Sequence, residues 1–415
     1  MKKTILLRGA TIVLPNRQLK SDILVSGGRI SAIGKDLPAS EDACVADFSK
    51  CIITPGFADV HVHFREPGFS YKETILTGSM AAARGGYTTV CTMPNLNPVP
   101  DCPAAMELQK RIIARDAVVE VLPYASITAG RKGIDLVDMA ALKDSCVAFS
   151  DDGSGVQDSE VMLRAMREAA ALDCIIAAHC EDNTLGESPE SEWKQIERDI
   201  ELCALTGCRY HVCHISTARS VELIRAAKSR GLRISCETAP HYLTLCREND
   251  WVDEGRFRMN PPVRSAADRD ALISGLADGT IDAIATDHAP HSAEEKSRGF
   301  SDSLMGIIGL ETAFPVLYTN LVRTGRVGLD RLVDALTYGP RQAFRIPGGL
   351  IEEGAPADLT VIDITKEYTI DSNGFLSKGR STPFEGMKVH GRVLLTLKDG
   401  TPVWTAPEWK SAFSE

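Results

Sequence analysis

Short apolar runs alternate with helical patterns through the middle of the chain. The helical patterns cover residues 71–84, 158–172, 190–205 and 217–230. The eight apolar, strand-like runs cover residues 57–63, 88–93, 118–125, 146–150, 174–179, 209–214, 233–238 and 281–286. Strands that alternate with helices predict βα units around a parallel sheet. Eight such units predict an α/β fold, a (β/α)8 TIM barrel over residues 54–349, with functional residues at the C-terminal ends of its strands.

Both ends of the chain have a different texture, with short β-type runs separated by Gly and Pro. These runs cover residues 4–7, 10–14, 22–26 and 29–33, and then 359–362, 389–397 and 401–404. The pair Asp399-Gly400 is a strong hairpin signal before the last run. We therefore expect one small β-sandwich domain built from residues 1–53 and 350–415.

Composition narrows the range of partners. The net charge is −10 and only 6% of the residues are aromatic, with no basic block, which argues against nucleic acid. Twelve cysteines without a C-x-x-C pair are typical of reduced thiols in a cytoplasmic protein. Arg8 interrupts the apolar run that follows Lys2-Lys3, and no stretch approaches the roughly 18 apolar residues of a membrane span, so neither a leader nor a membrane partner is expected.

Polar residues cluster where the predicted barrel strands end. They are His61, His63 and Arg65; Asn95; Asp151 and Asp152; His179; His214; and Asp287, His288 and His291. Because side chains alternate along a strand, His61 and His63 are expected to point the same way. Imidazoles and carboxylates on one rim form a ligand set suited to zinc. At least six of these residues are imidazoles or carboxylates, whereas a structural zinc site has four ligands. The pattern therefore predicts two metal ions that acidify a shared water molecule.

Each residue also has a structural interpretation. A lone His-x-His pair is as often two buried histidines bonded to backbone. One of the two carboxylates Asp151 and Asp152 is expected to cap the following helix. His211 lies inside an apolar run and is predicted to be a core histidine, whereas His241 fits either the core or the rim. Only the complete set favours a metal centre.

Eight motifs across the chain carry a resemblance to a known family. They are PGFADVHVHFREPG (55–68), TMPN (92–95), FSDDG (149–153), AHCED (178–182), HVCHIST (211–217), MNPPVR (259–264), ATDHAPH (285–291) and GIIGLET (306–312). The chain resembles the amidohydrolase superfamily and, within it, the bacterial type I dihydroorotases. That resemblance implies zinc-dependent, reversible cyclisation of N-carbamoyl-L-aspartate to L-dihydroorotate in pyrimidine biosynthesis.

The resemblance also implies residue roles. His61, His63 and Asp287 would hold one zinc ion, His179 and His214 the other, and Asp152 would bridge them, with Asp151 as a neighbour. Asp287 would carry protons as general base and acid. The substrate would be bound by His63, Arg65, Asn95, Asn260, His291, Met305 and Gly306, with Arg65 pairing its carboxylate.

Rival interpretations follow from the same family. Related hydantoinases and allantoinases bridge their metals with a carboxylated lysine, and the run Ser150-Asp151-Asp152 has none. A non-catalytic scaffold for aspartate transcarbamoylase is the alternative from another class. The connection from Asp182 to His211 is shorter than in typical relatives, and residues 299–305 also depart from the family pattern. The expected partners are a second copy of the chain, in a homodimer, and aspartate transcarbamoylase.

Overall fold

The computed structural model describes residues 4–14 and 17–413. The strands within this part are β1 (Ile5–Arg8), β2 (Thr11–Leu14), β3 (Arg17–Lys20), β4 (Asp22–Ser26), β5 (Arg29–Gly34), β6 (Cys44–Asp47), β7 (Cys51–Pro55), β8 (Phe57–Val62), β9 (Tyr87–Thr92), β10 (Glu120–Pro123), β11 (Ile175–Ala178), β12 (Arg209–Val212), β13 (Ile234–Thr238), β14 (Ala283–Ile284), β15 (Leu359–Thr369), β16 (Lys388–Lys398) and β17 (Thr401–Thr405). The predicted features at Lys2-Lys3 lie outside the described residues.

The helices surround the middle strands. They are α1 (Ile75–Gly85), α2 (Pro103–Asp116), α3 (Met139–Leu142), α4 (Ser159–Ala171), α5 (Pro189–Thr206), α6 (Ala218–Ser229), α7 (Pro240–Thr244), α8 (Arg247–Asp250), α9 (Ala266–Ala277), α10 (Ala293–Lys296), α11 (Gly299–Asp302), α12 (Ala313–Leu317), α13 (Leu329–Leu336), α14 (Tyr338–Phe344) and α15 (Lys410–Phe413). Among the described residues, no helix combines the length and apolar character needed to cross a membrane.

Two sheets are built from both chain ends. One has the strand order β5-β4-β1-β6 and the other has the order β17-β16-β15-β7-β2-β3. Strand β7 lies between β2, in parallel, and β15, antiparallel with Pro55 opposite Leu359. Buried side chains from both sheets, including Ile5, Ile53 and Leu395, form one apolar cluster. Every predicted terminal run contains a strand, whereas β3 and β6 were not predicted.

The middle strands form two parallel sheets, β10-β9-β8 and β11-β12-β13-β14. Isolated parallel bridges join them, from Phe149 to Ala125 and to Ile176 on one side and from Val62 to His288 on the other. The prediction of a strand over residues 146–150 is therefore wrong, because only Phe149 pairs with both neighbours.

Local side chains explain why one predicted strand is reduced to a bridge at Phe149 and why β14 is short. The carboxylate of Asp151 accepts hydrogen bonds from the backbone of Ile127 and Thr128, which turns the chain out of the sheet directly after Ser150. At the eighth run, the backbone N–H of Thr286 donates to the carboxylate of Asp59. The backbone amide that would extend β14 is therefore bonded to a side chain.

Caps fix where the helices begin. The prediction that the first helix starts near residue 71 is wrong, since Thr74 caps α1 and shares a capping box with Thr77. Asp158 caps α4 and Thr217 caps α6, close to the predicted starts. These helices pack their apolar faces on the parallel strands, and the resulting core is the largest apolar cluster in the described residues.

Candidate metal centre and substrate rim

Six potential metal ligands converge at the C-terminal ends of the parallel strands. His61 is on β8, His63 follows its end, His179 follows β11 directly, and His214 lies two residues past β12. Asp152 follows the bridged segment at Phe149, and Asp287 lies beyond β14. All six side chains are buried. The structure therefore brings together every ligand predicted from the sequence.

The first group of ligands is His61, His63, Asp152 and Asp287. Nε2 of His63 lies 3.0 Å from Oδ1 of Asp287 and 3.5 Å from Oδ2 of Asp152. Nε2 of His61 lies 3.4 Å from Oδ1 of Asp152 and 3.6 Å from Oδ1 of Asp287. Two imidazole nitrogens and two carboxylates therefore face a common point.

The second group shares Asp152 with the first. Oδ1 of Asp152 lies 3.6 Å from Nε2 of His214 and 3.8 Å from Nδ1 of His179. These two histidine nitrogens are 3.0 Å apart. Asp152 is the residue common to the triads His61, His63, Asp152 and Asp152, His179, His214, whose donor atoms lie within 4.8 Å of one another. Its carboxylate is therefore placed to contact two ions.

The donor atoms fit divalent metal ions. Nε2 of His61 and Oδ1 of Asp152 are buried without a hydrogen-bond partner, although such atoms are normally satisfied. Burial raises the pKa of Asp152, but the nearby imidazoles of His61 and His214 hold it well below its usual value. The pKa of Asp287 is also lowered, because hydrogen bonding to His63 and nearby imidazoles outweigh burial. Ionised carboxylates beside buried imidazole nitrogens are ligands that borderline divalent ions prefer.

Two glutamates that were not predicted orient these histidines. Oε1 of Glu237, on β13, lies 2.7 Å from Nδ1 of His61, and Oε2 lies 3.2 Å from Nε2 of His211. Oε2 of Glu181 lies 2.7 Å from Nε2 of His179. An acidic residue inside the apolar run 233–238 was the available signal, because buried acids need partners. Carboxylates that bond the second ring nitrogen fix the orientation of a ligating histidine.

A third cluster, formed by His61, Cys213 and Glu237, is a weaker candidate. Burial raises the pKa of the Cys213 thiol to about 12, so it stays protonated. A metal binds the thiolate form of cysteine. Glu237 is moreover occupied by two histidines, so this cluster supports the ligand His61 and is not a separate site.

The predicted helix cap at Asp151 or Asp152 is wrong. Asp158 caps α4. Asp151 instead accepts hydrogen bonds from the backbone of Ile127 and from both the backbone and the hydroxyl of Thr128. It anchors the neighbouring loop, which leaves Asp152 alone facing the histidines.

Two further histidines, His211 and His241, are buried in the interior. His211 is a buried core histidine as predicted, with Nδ1 2.8 Å from the hydroxyl of Ser235. His241 is also buried, and its ring packs on Tyr242 with 4.1 Å between ring centroids. Burial lowers the pKa of His241 to about 4. Both therefore belong to the interior.

Arg65 lies at the rim of the metal centre. Its Nε donates to the carbonyl of Pro290 at 3.3 Å, and it forms no ion pair among the described residues. The neighbouring acid Glu66 does not pair with Arg65 and instead accepts a hydrogen bond from the backbone N–H of Ile75. Arg65 lies beyond β8, which ends at Val62, and adopts a left-handed φ of 58°.

The other predicted substrate contacts surround this arginine. Oδ1 of Asn95 lies 2.7 Å from Nδ1 of His63, and Nδ2 of Asn260 donates to Glu181 at 2.8 Å. Nε2 of His291 lies 2.8 Å from the carbonyl oxygen of Met305. Gly306 has a φ of 137°, and a Cβ there would lie 2.6 Å from the carbonyl of Ala289, so only glycine fits.

Comparisons with known proteins agree with this geometry. A family model described as Dihydro-orotase-like matches residues 50–192. A dihydroorotase of Anoxybacillus flavithermus is 49% identical over 405 residues, covering 93% of this chain and 95% of that protein. A dihydroorotase of Halalkalibacterium halodurans is 47% identical over 425 residues, covering 98% of this chain and 99% of that protein.

Solved structures share the fold. The L-hydantoinase (dihydropyrimidinase) of Arthrobacter aurescens superposes with a TM-score of 0.88 at 28% identity, covering 98% of this chain and 96% of that one. The dihydropyrimidinase of Brevibacillus agri superposes with a TM-score of 0.86 at 24% identity, covering 97% and 95% of the two chains. The second likeness, at such low identity, concerns the fold alone.

Proposed function

The chain belongs to the dihydroorotase family, and from its rim residues we infer how it interconverts N-carbamoyl-L-aspartate and L-dihydroorotate. It is a hydrolase that acts on cyclic amides. The observation that carries the substrate assignment is Arg65, a guanidinium beside the ligands without an acidic partner in the described residues. A guanidinium in such a position pairs best with a planar carboxylate, and dihydroorotate has one.

We propose that zinc occupies the two groups of ligands. His61, His63 and Asp287 would hold one ion, His179 and His214 the other, and Asp152 both. Divalent ions at such a centre supply Lewis acidity and lower the pKa of water toward neutrality. Glu237 and Glu181 would keep His61 and His179 in the tautomers that direct the other ring nitrogen to a metal ion.

Asp287 would be the catalytic base and acid. Its carboxylate adjoins His63 at the open side of the centre, where it accepts the proton of the attacking water. It then delivers that proton to the amide nitrogen as the ring C–N bond breaks. In cyclisation Asp287 would transfer the same proton in the opposite direction, because microscopic reversibility requires both directions to use the same acid and base.

The rim residues would orient the substrate. Arg65, with Asn95 and His291, would bind the carboxylate, while Asn260 and the backbone at Met305 and Gly306 would bind the ring amides. His63 would contact the substrate from the metal side. Productive orientation of a bound reactant supplies a large part of the rate enhancement in such reactions.

The rival functions are less well supported. Asp152, and not a lysine, lies at the position shared by both groups, which favours dihydroorotase over hydantoinase or allantoinase chemistry. A non-catalytic scaffold for aspartate transcarbamoylase has no need for six converging ligands with buried, unpaired donor atoms. Retention of the complete set favours an active enzyme.

We extend the proposal to architecture and setting. The two parallel sheets and their bridges support a closed (β/α)8 barrel over residues 54–349, beside a small β-sandwich domain of residues 1–53 and 350–415. Twelve cysteines without a disulfide support a cytoplasmic location. A homodimer and an association with aspartate transcarbamoylase are further proposals, which sedimentation of the protein alone and with that enzyme would test.

One experiment tests the function directly. Zinc per chain is measured on the purified protein, and turnover is then compared on dihydroorotate, carbamoyl aspartate, dihydrouracil, hydantoin and allantoin. We expect two zinc ions and a strong preference for the first two compounds. Preference for hydantoin or dihydrouracil would contradict the assignment, and absence of both zinc and turnover would favour the scaffold.

A further inference from the structure

Lys72 is a buried cation at the rim that the proposed reaction does not use. Lys72 is only 9% exposed and lies in the turn that precedes Thr74, the cap of α1. The Nζ atom lies 3.0 Å from Oε1 of Glu295 and 3.1 Å from Nδ1 of His291. Lysines are almost never buried unless their charge is paired. The partners of Lys72 therefore indicate what it does.

The contact with His291 determines where the imidazole carries its proton. An ammonium group has three donors and no acceptor, so Nδ1 of His291 must accept. The proton of the neutral ring is then on Nε2, which donates to the carbonyl of Met305 at 2.8 Å. Burial, Arg65 and Lys72 together lower the pKa of His291 to about 3, so the ring stays neutral.

The Met305 carbonyl belongs to a segment whose backbone is held on both sides. Nζ of Lys296 donates to the carbonyl of Leu304 at 2.7 Å, and the backbone N–H of Gly306 donates to the carbonyl of Arg258 at 3.0 Å. His291 supplies the bond between these two anchors. The orientation of the Met305 peptide consequently depends on the tautomer of His291.

We propose that Lys72 is a positioning residue, which holds His291 in the Nε2–H tautomer and so fixes the Met305–Gly306 backbone that faces the substrate ring. The structural part stands on the contacts above, while the effect on turnover rests on the proposed function. Lys72 itself lies on the far side of the imidazole from Met305.

Removal of the Lys72 ammonium group is predicted to change the tautomer of His291. In Lys72→Met the charged groups that face His291 are Glu295, with Oε2 3.5 Å from Nδ1, Arg65 and, below its lowered pKa of about 7, Lys296. The carboxylate then favours a proton on Nδ1. In the neutral ring this tautomer turns the Nε2 lone pair toward the Met305 carbonyl at 2.8 Å, which is repulsive, and leaves Nε2 only the longer 3.4 Å contact from Nη2 of Arg65 as a hydrogen bond. The defect therefore grows as rising pH removes the second proton of the ring.

Nitrogen-15 NMR of the zinc-loaded full chain with labelled histidine reads the tautomer without turnover, and His291→Gln assigns the signals. We expect Nε2–H in the unaltered chain and in Lys72→Arg, and Nδ1–H in Lys72→Met at high pH. Lys378→Met is the matched control, because Lys378 donates to Ser70 in the same turn but is exposed and does not contact His291. An unchanged tautomer in Lys72→Met would overturn the proposal.

Two measurements complete the test. Since a hydrogen bond contributes about 0.5–1.5 kcal/mol, KM for dihydroorotate in Lys72→Met should rise roughly two- to tenfold, increasingly with pH, with little change in kcat. A rise in KM that does not depend on pH would indicate a merely structural role. Glu295→Gln, which keeps Lys72, should retain Nε2–H, and a switch there would assign the tautomer to Glu295. Failure of the unaltered chain to turn over dihydroorotate would refute the proposed function but leave the tautomer result standing.

Discussion

Nδ1 of His61 lies 2.7 Å from Oε1 of Glu237, and both side chains are fully buried. The same carboxylate bonds His211 through its other oxygen. One buried acid therefore directs Nε2 of His61 toward Asp152 and Asp287 while satisfying a core histidine. The orientation of the candidate ligand His61 therefore depends on a residue outside the candidate metal site.

This relationship predicts the effect of Glu237→Gln. The amide keeps a similar shape but replaces the negative charge and turns one acceptor into a donor, so His61 loses its preferred orientation. Mutation of a residue that bonds a ligating histidine typically changes metal affinity by about 10–100-fold. We expect a loss of that size in zinc affinity, measured by chelator competition. Glu181→Gln, at the second group, is the comparison variant, and unchanged affinity in both would contradict the orienting role.

Adjacent carboxylates provide a second prediction. Asp152→Ala should lose at least one zinc ion per chain and most activity, because Asp152 is common to both ligand groups. Asp151→Ala should retain both ions and instead lower the thermal midpoint, since it leaves the amides of Ile127 and Thr128 unpaired. Metal analysis beside thermal unfolding separates the two variants. The opposite pattern would reassign the bridging ligand to Asp151.

Asp287→Asn tests the proton carrier. The amide retains a ligand oxygen but cannot carry the proton, and general acid–base catalysis contributes roughly 10²–10⁴-fold. We expect losses on that order for both hydrolysis and cyclisation, with weaker binding of the zinc held by His61 and His63. Asp282→Asn is the control, because Asp282 lies before β14 and pairs with Lys228. Near-normal turnover in zinc-loaded Asp287→Asn would exclude the proposed role.

Arg65→Met tests recognition of the substrate carboxylate. Truncation of one partner of a buried charge pair costs about 2–5 kcal/mol, so kcat/KM for dihydroorotate should fall roughly 30-fold or more. Zinc content should stay intact, because Arg65 contacts Pro290 and His291 and not the ligands. Activity on dihydrouracil, which lacks the carboxylate, should hardly change. An equal fall on both substrates would instead indicate a role in the fold.

Lys296 predicts a pH-dependent stability. Burial, with Arg258 nearby, lowers its pKa from 10.5 to about 7. Between these values the unfolded chain binds a proton that the folded chain has released, so this residue favours folding increasingly as pH rises. The urea midpoint of the unaltered chain should therefore rise relative to the midpoint of Lys296→Met as the pH is raised from about 7 to 10. A difference between the two chains that is constant over this range would contradict the prediction.

The apolar pattern was sufficient to predict that the candidate metal ligands lie close together, because strand ends meet at one rim. His61 and His63 point together as expected, although His63 already lies beyond β8. The same pattern could not find β3, whose four residues are all exposed and pair through backbone alone. An edge strand of this kind leaves no hydrophobic signature.

Residues whose role is to orient another residue were harder to predict from the sequence. Glu237 was hidden within a predicted strand, and Lys72 within a predicted helix that in fact begins at Ile75. Their roles arise from contacts with His61 and His291, each more than 170 positions away in the chain. The wrong prediction of a helix cap at Asp151 or Asp152 has the same origin, because the partners of Asp151, at Ile127 and Thr128, precede it in a separate loop.

Strand β7 has consequences for the order in which the molecule is made. One of its edges pairs with β2, and the other pairs with β15, which is synthesised about 300 residues later. Translation proceeds at roughly 5–20 residues per second, so this second edge stays unpaired during much of synthesis. During synthesis this open edge is a template for mispairing with other nascent chains. Since β7 runs through Gly56 directly into β8, His61 and His63 acquire a fixed frame only when β15 has emerged. Metal loading is thus expected to be a late, post-translational event.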